Sequence, residues 1–459
     1  MSRVVIVSNR LDLPPGDRAP GGLAVSLAAT LRGTGSLWFG WSGRVEPACA
    51  APRRENRDGI EYAVIDLSPS EHDDYYHGFC NRVLWPLSHG QAVDTAATAA
   101  WFRAYLTFNA RVAAQLSPLL DANDVVWAQD YHLLPLAHYL RSNGCRNRLG
   151  HFLHVPFPAL DQCAEGEELL EKMLAYDLLG FQTPRDLATF ESLVRQRRGA
   201  GVLRKEAVQA ADGRWVATGV FPLGIEVDTV RAAAVVNAAA AESRWWSSRP
   251  PAARLVGADR LDVSKGLLQR LGAVRHYLAQ QPEGQPLPEY LQLVTPSRTE
   301  LPAHRDLLGS LQLEVQRTAQ RLPVSAPNPV RCVFNAVERD ELMGILATAD
   351  VGLVTPLMDG MNLLAKEFVA AQPAEDPGVL VLSKSAGAAM ELDAALLVDP
   401  EDTIAVAAAI DLALRMSPEE RRERHQTSMK ALRRNELPTW HARFLGRLRA
   451  IESTGTHSA

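Results

Sequence analysis

Short apolar, β-branched runs recur along this chain with helical patterns between them, and that alternation restricts the fold more than any other feature. A first series is VVIVSN near residue 4, YAVIDL near 62, DVVWAQ near 124, LGHFLHV near 149, YDLLGFQ near 176 and VATGVFPLGI near 216. A second is ARLVGADRL near 253, YLQLVTP near 290, VRCVFNAV near 330, DVGLVTPL near 350, GVLVLS near 378 and ALLVDP near 395. Between runs lie stripes at helical spacing, such as Trp101, Tyr105, Phe108, Asn109 and Val112. Strand, helix, strand in repetition makes parallel sheets covered on both faces. At 459 residues the chain exceeds one ordinary core. Two doubly wound α/β domains are therefore expected. The Ala-rich segment from Val230 to Trp246 reads as a helix just past the boundary, which places the hinge near 228 and the domains at 1–228 and 229–439. The tail WHARFLGRLRAIES lies beyond the last strand run, and the helix at 440–459 is expected to pack back on the first domain.

A net charge of −5 offers no basic face, so nucleic acid is not an expected partner. Five scattered cysteines, with no CxxC pair, suit a reducing cytoplasm better than a disulfide framework. The chain runs directly into VVIVSNR without the pattern of an export signal, and no apolar segment reaches the roughly 18 residues of a membrane span. A cytoplasmic protein that neither crosses nor binds a membrane is the expectation. Oligomeric state stays open, homo-oligomers included.

In open parallel sheets, ligands bind beyond the carboxyl ends of the strands. The stretch DGMNLLAKEF, 359–368, sits there, after the apolar run DVGLVTPLM. Asp359 and Gly360 make a turn and Asn362 can cap. The first N–H groups of the following helix then attract a phosphate through their unused donors and the helix dipole. Met361, Leu364, Ala365, Phe368 and Val369 follow the helical period and bury the helix. Glu367 falls off that stripe, where a carboxylate can accept ribose hydroxyls. From this loop alone, a capped surface helix with a solvated Lys366 and Glu367 is an equal reading. The segment ADRLDVSKG, 258–266, shifts the balance by placing Arg260 and Lys265 on another post-strand loop. Two such cations neutralise a diphosphate and stabilise it as a leaving group.

The first half carries different chemistry. Gly21 and Gly22 precede a helical stripe of Leu23, Leu27 and Leu31, and backbone without side chains admits close approach to a ligand. Neither this segment nor RGAGVLR near 200 completes GxGxxG, so a nicotinamide dehydrogenase is remote. Arg10 ends the first strand run, where its fork can hold a phosphate. Trp41, Tyr76 and Trp85, with Arg298 further on, suit a sugar phosphate, since aromatic faces stack on apolar ring faces while the dianion takes charged donors. Aromatics at such places also serve as core. Asp130 and His154 follow two successive strands. No Asp-x-Asp pair for chelating a divalent metal is present. Charge stabilisation by Arg260 and Lys265, with neither metal nor cofactor, is the expected design.

Taken together, VVIVSNR, GGLAVSL, LWFGWSG, YYHGFCNRVLWP, DYHLLPLAHYLR, FLHVPFP, YDLLGFQT, RLDVSKGL, DVGLVTPLMDGMNLLAKEFVAAQ and GVLVLSKSAGAAMEL resemble the trehalose-6-phosphate synthase family in register from the first strand to about residue 392. The resemblance implies an α/β protein of GT-B fold, with two Rossmann-like domains facing a central cleft. It implies a retaining transfer of glucose from UDP-glucose or another nucleoside diphosphate-glucose to glucose 6-phosphate, giving α,α-trehalose 6-phosphate. Arg10, Tyr76 and Arg298 would surround the acceptor phosphate, and Asp130 would meet the acceptor hydroxyls. Trp85 and Val155 match positions linked to anomeric selectivity. Arg260 and Lys265 would hold the diphosphate, Val337 would lie beside the base, and Gly21 and Gly22 would close over the donor. The donor would also contact the turn Asp359, Gly360, Met361 and Asn362 and the helix start Leu363, Leu364, Ala365, Lys366 and Glu367. His154 and Asp359 would meet the transferred glucose.

Three departures bear on the sugar pocket. Met358 stands where the family has an arginine, and Gln129 where it has a histidine. The segment ALDQCAEGEELLEKML after HVPFP is also shorter. Another phosphorylated acceptor, such as glycerol 3-phosphate or a cyclitol phosphate, therefore stays open. So does a silent nucleotide-sugar sensor, against which the retained Arg10, Arg260, Lys265, Arg298 and Glu367 speak.

Overall fold

The computed structural model describes residues 2–11, 35–47, 51–57, 59–93, 97–247, 253–282, 285–298, 302–320 and 329–451. The chain forms two compact units, one of Met1–Pro222 with Trp440–Ala459, the other of Leu223–Thr439. The division falls at Pro222 rather than near 228 because the next residues are already tied to the second unit. Leu223 accepts a hydrogen bond from Lys366, and Ile225 packs in that unit's core.

In the first unit the described strands are β1 (Val4–Arg10), β2 (Leu37–Val45), β3 (Arg53–Arg57), β4 (Ile60–Leu67), β5 (Val125–Gln129), β6 (Arg148–Phe152), β7 (Leu178–Phe181), β8 (Leu203–Arg204), β9 (Ala207–Gln209) and β10 (Trp215–Val220). They form one sheet in the order β3-β4-β2-β1-β5-β6-β7-β10-β9-β8. From β4 to β10 neighbouring strands run parallel, and only the edge pairs are antiparallel. The chain moves outward from β1 to β2 and β4, then returns to β5 on the other side of β1. The loops after β1 and β5 therefore diverge and leave a crevice beyond the strand ends. All of β5 is buried, as a central parallel strand covered on both faces must be.

Between β4 and β5, Glu71–Leu84 forms a helix of the wide π type, ending with the Trp85 N–H bonded to the Cys80 carbonyl. Extended π geometry is rare and is often found at functional sites. The final helix, Leu437–Ala450, lies on the sheet of this unit. Its Trp440 and Phe444 rings stand 4.9 and 4.6 Å from that of Trp127. Gly150 makes room, since a Cβ there would lie 2.6 Å from the Leu448 side chain.

The second unit holds β11 (Arg254–Arg260), β12 (Glu289–Thr295), β13 (Val330–Val333), β14 (Val351–Val354), β15 (Val379–Ser383) and β16 (Leu396–Val398). Their order is β13-β12-β11-β14-β15-β16, with every pair parallel. Here the reversal falls between β11 and β14. Arg260 and Lys265 follow the first of these strands and Asp359 the second. Topology thus puts the charged loops singled out by sequence at the one place where a doubly wound sheet opens for a ligand. Among the described residues no helix is long and apolar enough to cross a membrane.

Candidate active site

The two loops at the reversal of the second sheet are laced together. After the exposed Arg260, Asp262 accepts the Ser264 N–H at 2.9 Å and bends the chain through Val263–Lys265. Gly266 then takes a φ of 62°, and a Cβ on it would sit 2.6 Å from the Thr355 carbonyl. The Leu357 N–H donates to the Ser264 carbonyl at 2.7 Å. Across this seam Lys265 Nζ is bonded to the Asp359 carboxylate, to which Asn362 Nδ2 also donates at 3.0 Å. Asn362 adopts a left-handed φ of 72° and accepts the Ala365 N–H at 3.2 Å. Lysine, aspartate and asparagine therefore form one bonded set at the start of helix Leu363–Ala371. The first N–H groups of any helix lack partners inside it and carry the positive end of its dipole, which suits an anion.

Not every residue expected around the donor reaches this set. Ala365 is buried and its N–H is already taken by Asn362. Lys366 is 1% exposed and turns into the core, where Nζ donates to the Leu223 carbonyl at 2.7 Å and pairs with Glu391. The structure thus corrects the solvated alternative for the Lys366 side chain: its helical position faces the unit's interior, and an ammonium there requires a buried carboxylate. Burial lowers its pKa, while Glu391 opposes the shift. Glu367 accepts from Arg339 at 3.0 Å, and burial raises its pKa against that pairing. Gly360 and Met361 continue the turn, Leu363 and Leu364 open the helix half-buried, and half-buried Val337 packs beside the core beyond β13.

Beneath the loops lies a group that sequence reading passed over. Arg270 is fully buried and pairs with Asp259. It also donates to Thr355 Oγ1 at 3.0 Å, Gln292 Oε1 at 3.1 Å and the Lys265 carbonyl at 3.1 Å. The available signal was its place inside the apolar stripe Leu267, Leu271, Val274, Leu278, where a cation has to be matched.

In the first unit, Arg10 leaves β1 with its guanidinium 5.7 Å from the Trp41 ring centre. It lies so close to Gly43 that a Cβ there would meet its Nη2 at 3.0 Å. The Trp41 ring is 5.3 Å from Tyr76 and 5.9 Å from His72, and Tyr76 stacks at 6.2 Å on His132. This is an aromatic wall with a guanidinium against one of its rings. His72 and His132 belong to it although sequence reading assigned neither. Trp85 is buried, 5.9 Å from the Tyr131 ring, and Val155 is in the same core.

Asp130, just past β5, has a φ of 71° and a ψ of 172°, a backbone region almost confined to glycine and costly for any side chain. Its N–H donates to the Phe152 carbonyl at 2.7 Å and its Oδ1 accepts the His154 N–H at 3.2 Å. His154 Nε2 lies 2.8 Å from Gln129 Oε1, so the residue that departs from the family pattern touches the histidine expected at the sugar. Burial, with neighbouring His151, lowers the His154 pKa to about 3, and burial takes those of His151 and His441 to about 4 and 3. All three are neutral at pH 7. Unfolded histidines take up a proton near 6.5, whereas these do not, so stability is lost as pH falls from about 6.5 toward 4. The loss is up to about 1.4 kcal/mol per histidine per pH unit. Thermal unfolding should therefore move to clearly lower temperature at pH 5 than at pH 7; an unchanged midpoint would refute the burial of these rings.

Gly21 and Gly22 lie outside the described residues. Arg298 follows β12 in the second unit, as do Arg260 and Lys265 beyond β11, and lies 3.4 Å from Asp262.

Two doubly wound parallel sheets, one with a lysine, aspartate and asparagine set at its reversal and the other with an arginine on aromatic rings, define a glycosyltransferase of the GT-B fold. Residues 12–450 match glycosyltransferase family 20, and the chain belongs to that family. It is 39% identical to the trehalose-6-phosphate synthase of Cronobacter sakazakii over 98% of this chain and 96% of the relative. An α,α-trehalose-phosphate synthase (UDP-forming) from Burkholderia xenovorans, solved in complex with glucose-6-phosphate, superposes with a TM-score of 0.89 at 37% identity, covering 98% of this chain and 100% of that one. The E. coli protein bound with UDP-2-fluoro glucose gives 0.90 at 37% identity, covering 98% and 99%.

Proposed function

We propose that this protein moves glucose from UDP-glucose to glucose 6-phosphate with retention of configuration, forming α,α-trehalose 6-phosphate. The observation that carries the reading is the Lys265, Asp359 and Asn362 set at a helix start on the reversal of the second sheet, next to Arg260. As the glycosidic bond breaks, charge grows on the diphosphate, where Arg260, Lys265 and the helix dipole stabilise it. Asp359 and neutral His154 receive glucose hydroxyls, Glu367 the ribose, and Val337 the base. Asp130 takes acceptor hydroxyls, and Arg10, Tyr76 and Arg298 the acceptor phosphate. Trp85 and Val155 shape the choice of anomer. Attack on the same face, assisted by the departing phosphate, requires no protein nucleophile. Asp359, committed to Lys265 and Asn362, is better suited to binding than to attack. Cations replace a divalent metal in this scheme, so activity should survive EDTA. The described cysteines Cys145, Cys163 and Cys332 are free thiols, which suits the cytoplasm.

The test is product analysis. With UDP-glucose and glucose 6-phosphate, NMR should find a disaccharide phosphate in which both anomeric centres are α. The contact between Gln129 and His154 motivates parallel reactions with glycerol 3-phosphate and a cyclitol phosphate. A product from those alone would overturn glucose 6-phosphate as acceptor, and tight UDP binding without turnover on any acceptor would overturn catalysis itself.

A further inference from the structure

We infer that Asp262 is a positioning residue for the acceptor phosphate: one carboxylate orders the loop between Arg260 and Lys265 and also holds the Arg298 guanidinium in place. The inference rests on the reading that Arg298 meets that phosphate.

Asp262 is 2% exposed and divides its two oxygens between separate tasks. Oδ1 accepts the Ser264 N–H at 2.9 Å, which sets the turn that carries Lys265. Oδ2 lies 3.4 Å from Arg298 Nη1 and 3.7 Å from His304 Nε2. Arg298 has a φ of 49°, a left-handed backbone that a non-glycine residue keeps only when its surroundings impose it. Its side chain is 9% exposed, so the guanidinium is restrained rather than waving in solvent. Burial pushes the Asp262 carboxyl up, yet His304, 3.7 Å away, and the charges of Arg298, Arg260 and Lys265 outweigh it and keep the group ionised. Opposite charges 3.4 Å apart and largely shielded from water attract enough to restrain an arginine, although the contact is longer than a good charge-assisted hydrogen bond. The geometry therefore links the loop assigned to the donor with the arginine assigned to the acceptor.

The sign of the effect separates positioning from simple electrostatics. Removing a negative charge beside three cations makes the site more positive, and by Coulomb's law alone both phosphorylated ligands would bind tighter. Positioning requires the opposite for the acceptor. Asp262→Asn is the informative variant because it keeps an oxygen for the Ser264 N–H and loses the charge that faces Arg298.

In the full-length protein, Asp262→Asn should raise the KM for glucose 6-phosphate about tenfold while the Kd for UDP, measured by calorimetry, stays within about threefold. In an Arg298→Ala background it should raise the acceptor KM no further, because the effect passes through that arginine. An acceptor KM that falls or stays level in Asp262→Asn overturns the inference, as does an equal rise with and without Arg298. If Arg298→Ala alone leaves the acceptor KM unchanged, the assignment of Arg298 to the phosphate fails and this inference with it. An effective Arg298→Ala beside an inert Asp262→Asn rejects the inference only. Should Asp262→Asn not fold, Asp262→Glu, which keeps the charge but moves it by one methylene, enters the same cycle with the same criteria.

Discussion

Lys265→Ala should lower kcat by about 10²- to 10³-fold, the range expected when one preorganised donor is removed from a charge that grows in the transition state. Lys265 is fixed from both sides before any substrate arrives. Its carbonyl is held by buried Arg270 and its ammonium by Asp359. A cation that does not have to be reorganised during bond cleavage stabilises the leaving diphosphate more than it stabilises the bound donor. The KM for glucose 6-phosphate should therefore move much less than kcat. Asp359 keeps Asn362 as a donor in this variant but loses its cation, so a lower melting temperature will accompany the kinetic loss. Assays well below that temperature separate the two. A kcat within about threefold of wild type would mean that the diphosphate does not sit beside Lys265, and the charge map would fall with it.

Lys366→Met should destabilise the second unit by about 3–5 kcal/mol, the usual cost of leaving one member of a buried ion pair without its partner. The ammonium joins three parts of that unit. It donates to the Leu223 carbonyl, where the chain enters from the first unit, and pairs with Glu391, whose other oxygen accepts from Asn435 Nδ2 at 2.6 Å shortly before the chain leaves again. Adding Glu391→Gln should restore much of the loss, because the amide oxygen still serves Asn435 while the stranded charge is gone. Urea unfolding of the single and double variants measures both effects. At temperatures where Lys366→Met is folded, its Kd for UDP should match wild type. A loss of UDP affinity with little loss of stability would instead return Lys366 to the donor site.

The two readings of Lys366 show where the sequence stops being informative. Within DGMNLLAKEF the turn, the cap and the apolar stripe were legible, because a helix start and a 3.6-residue period are local properties. Asn362 caps, and Met361, Ala365, Phe368 and Val369 are buried as that period requires. Lys366 could not be placed in the same way. Its partners are 143 and 25 positions away in the chain, and no local pattern says that a lysine off the stripe will face a second interior surface. Arg339 beside Glu367, Thr355 beside Arg270 and His304 beside Asp262 are of the same kind. The wide helix Glu71–Leu84 escaped for a different reason: its composition is that of an ordinary helix, and its i→i+5 bonding is a matter of backbone geometry.

By itself the sequence determined the alternation of strands and helices, hence two parallel sheets, and it marked the loops at their carboxyl ends by glycine, acid and cation. Burial on both faces of a strand and helical amphipathicity are written in residue order, so they survive without coordinates. Only the tertiary structure decided which loops meet, because the reversal of strand order brings β11 beside β14 across 91 residues of chain from Arg260 to Val351 and joins Lys265 to Asp359. It also decided which charges are spent on the fold and which are held toward a ligand, since a buried charge is fixed by its partners and those partners come from distant parts of the chain.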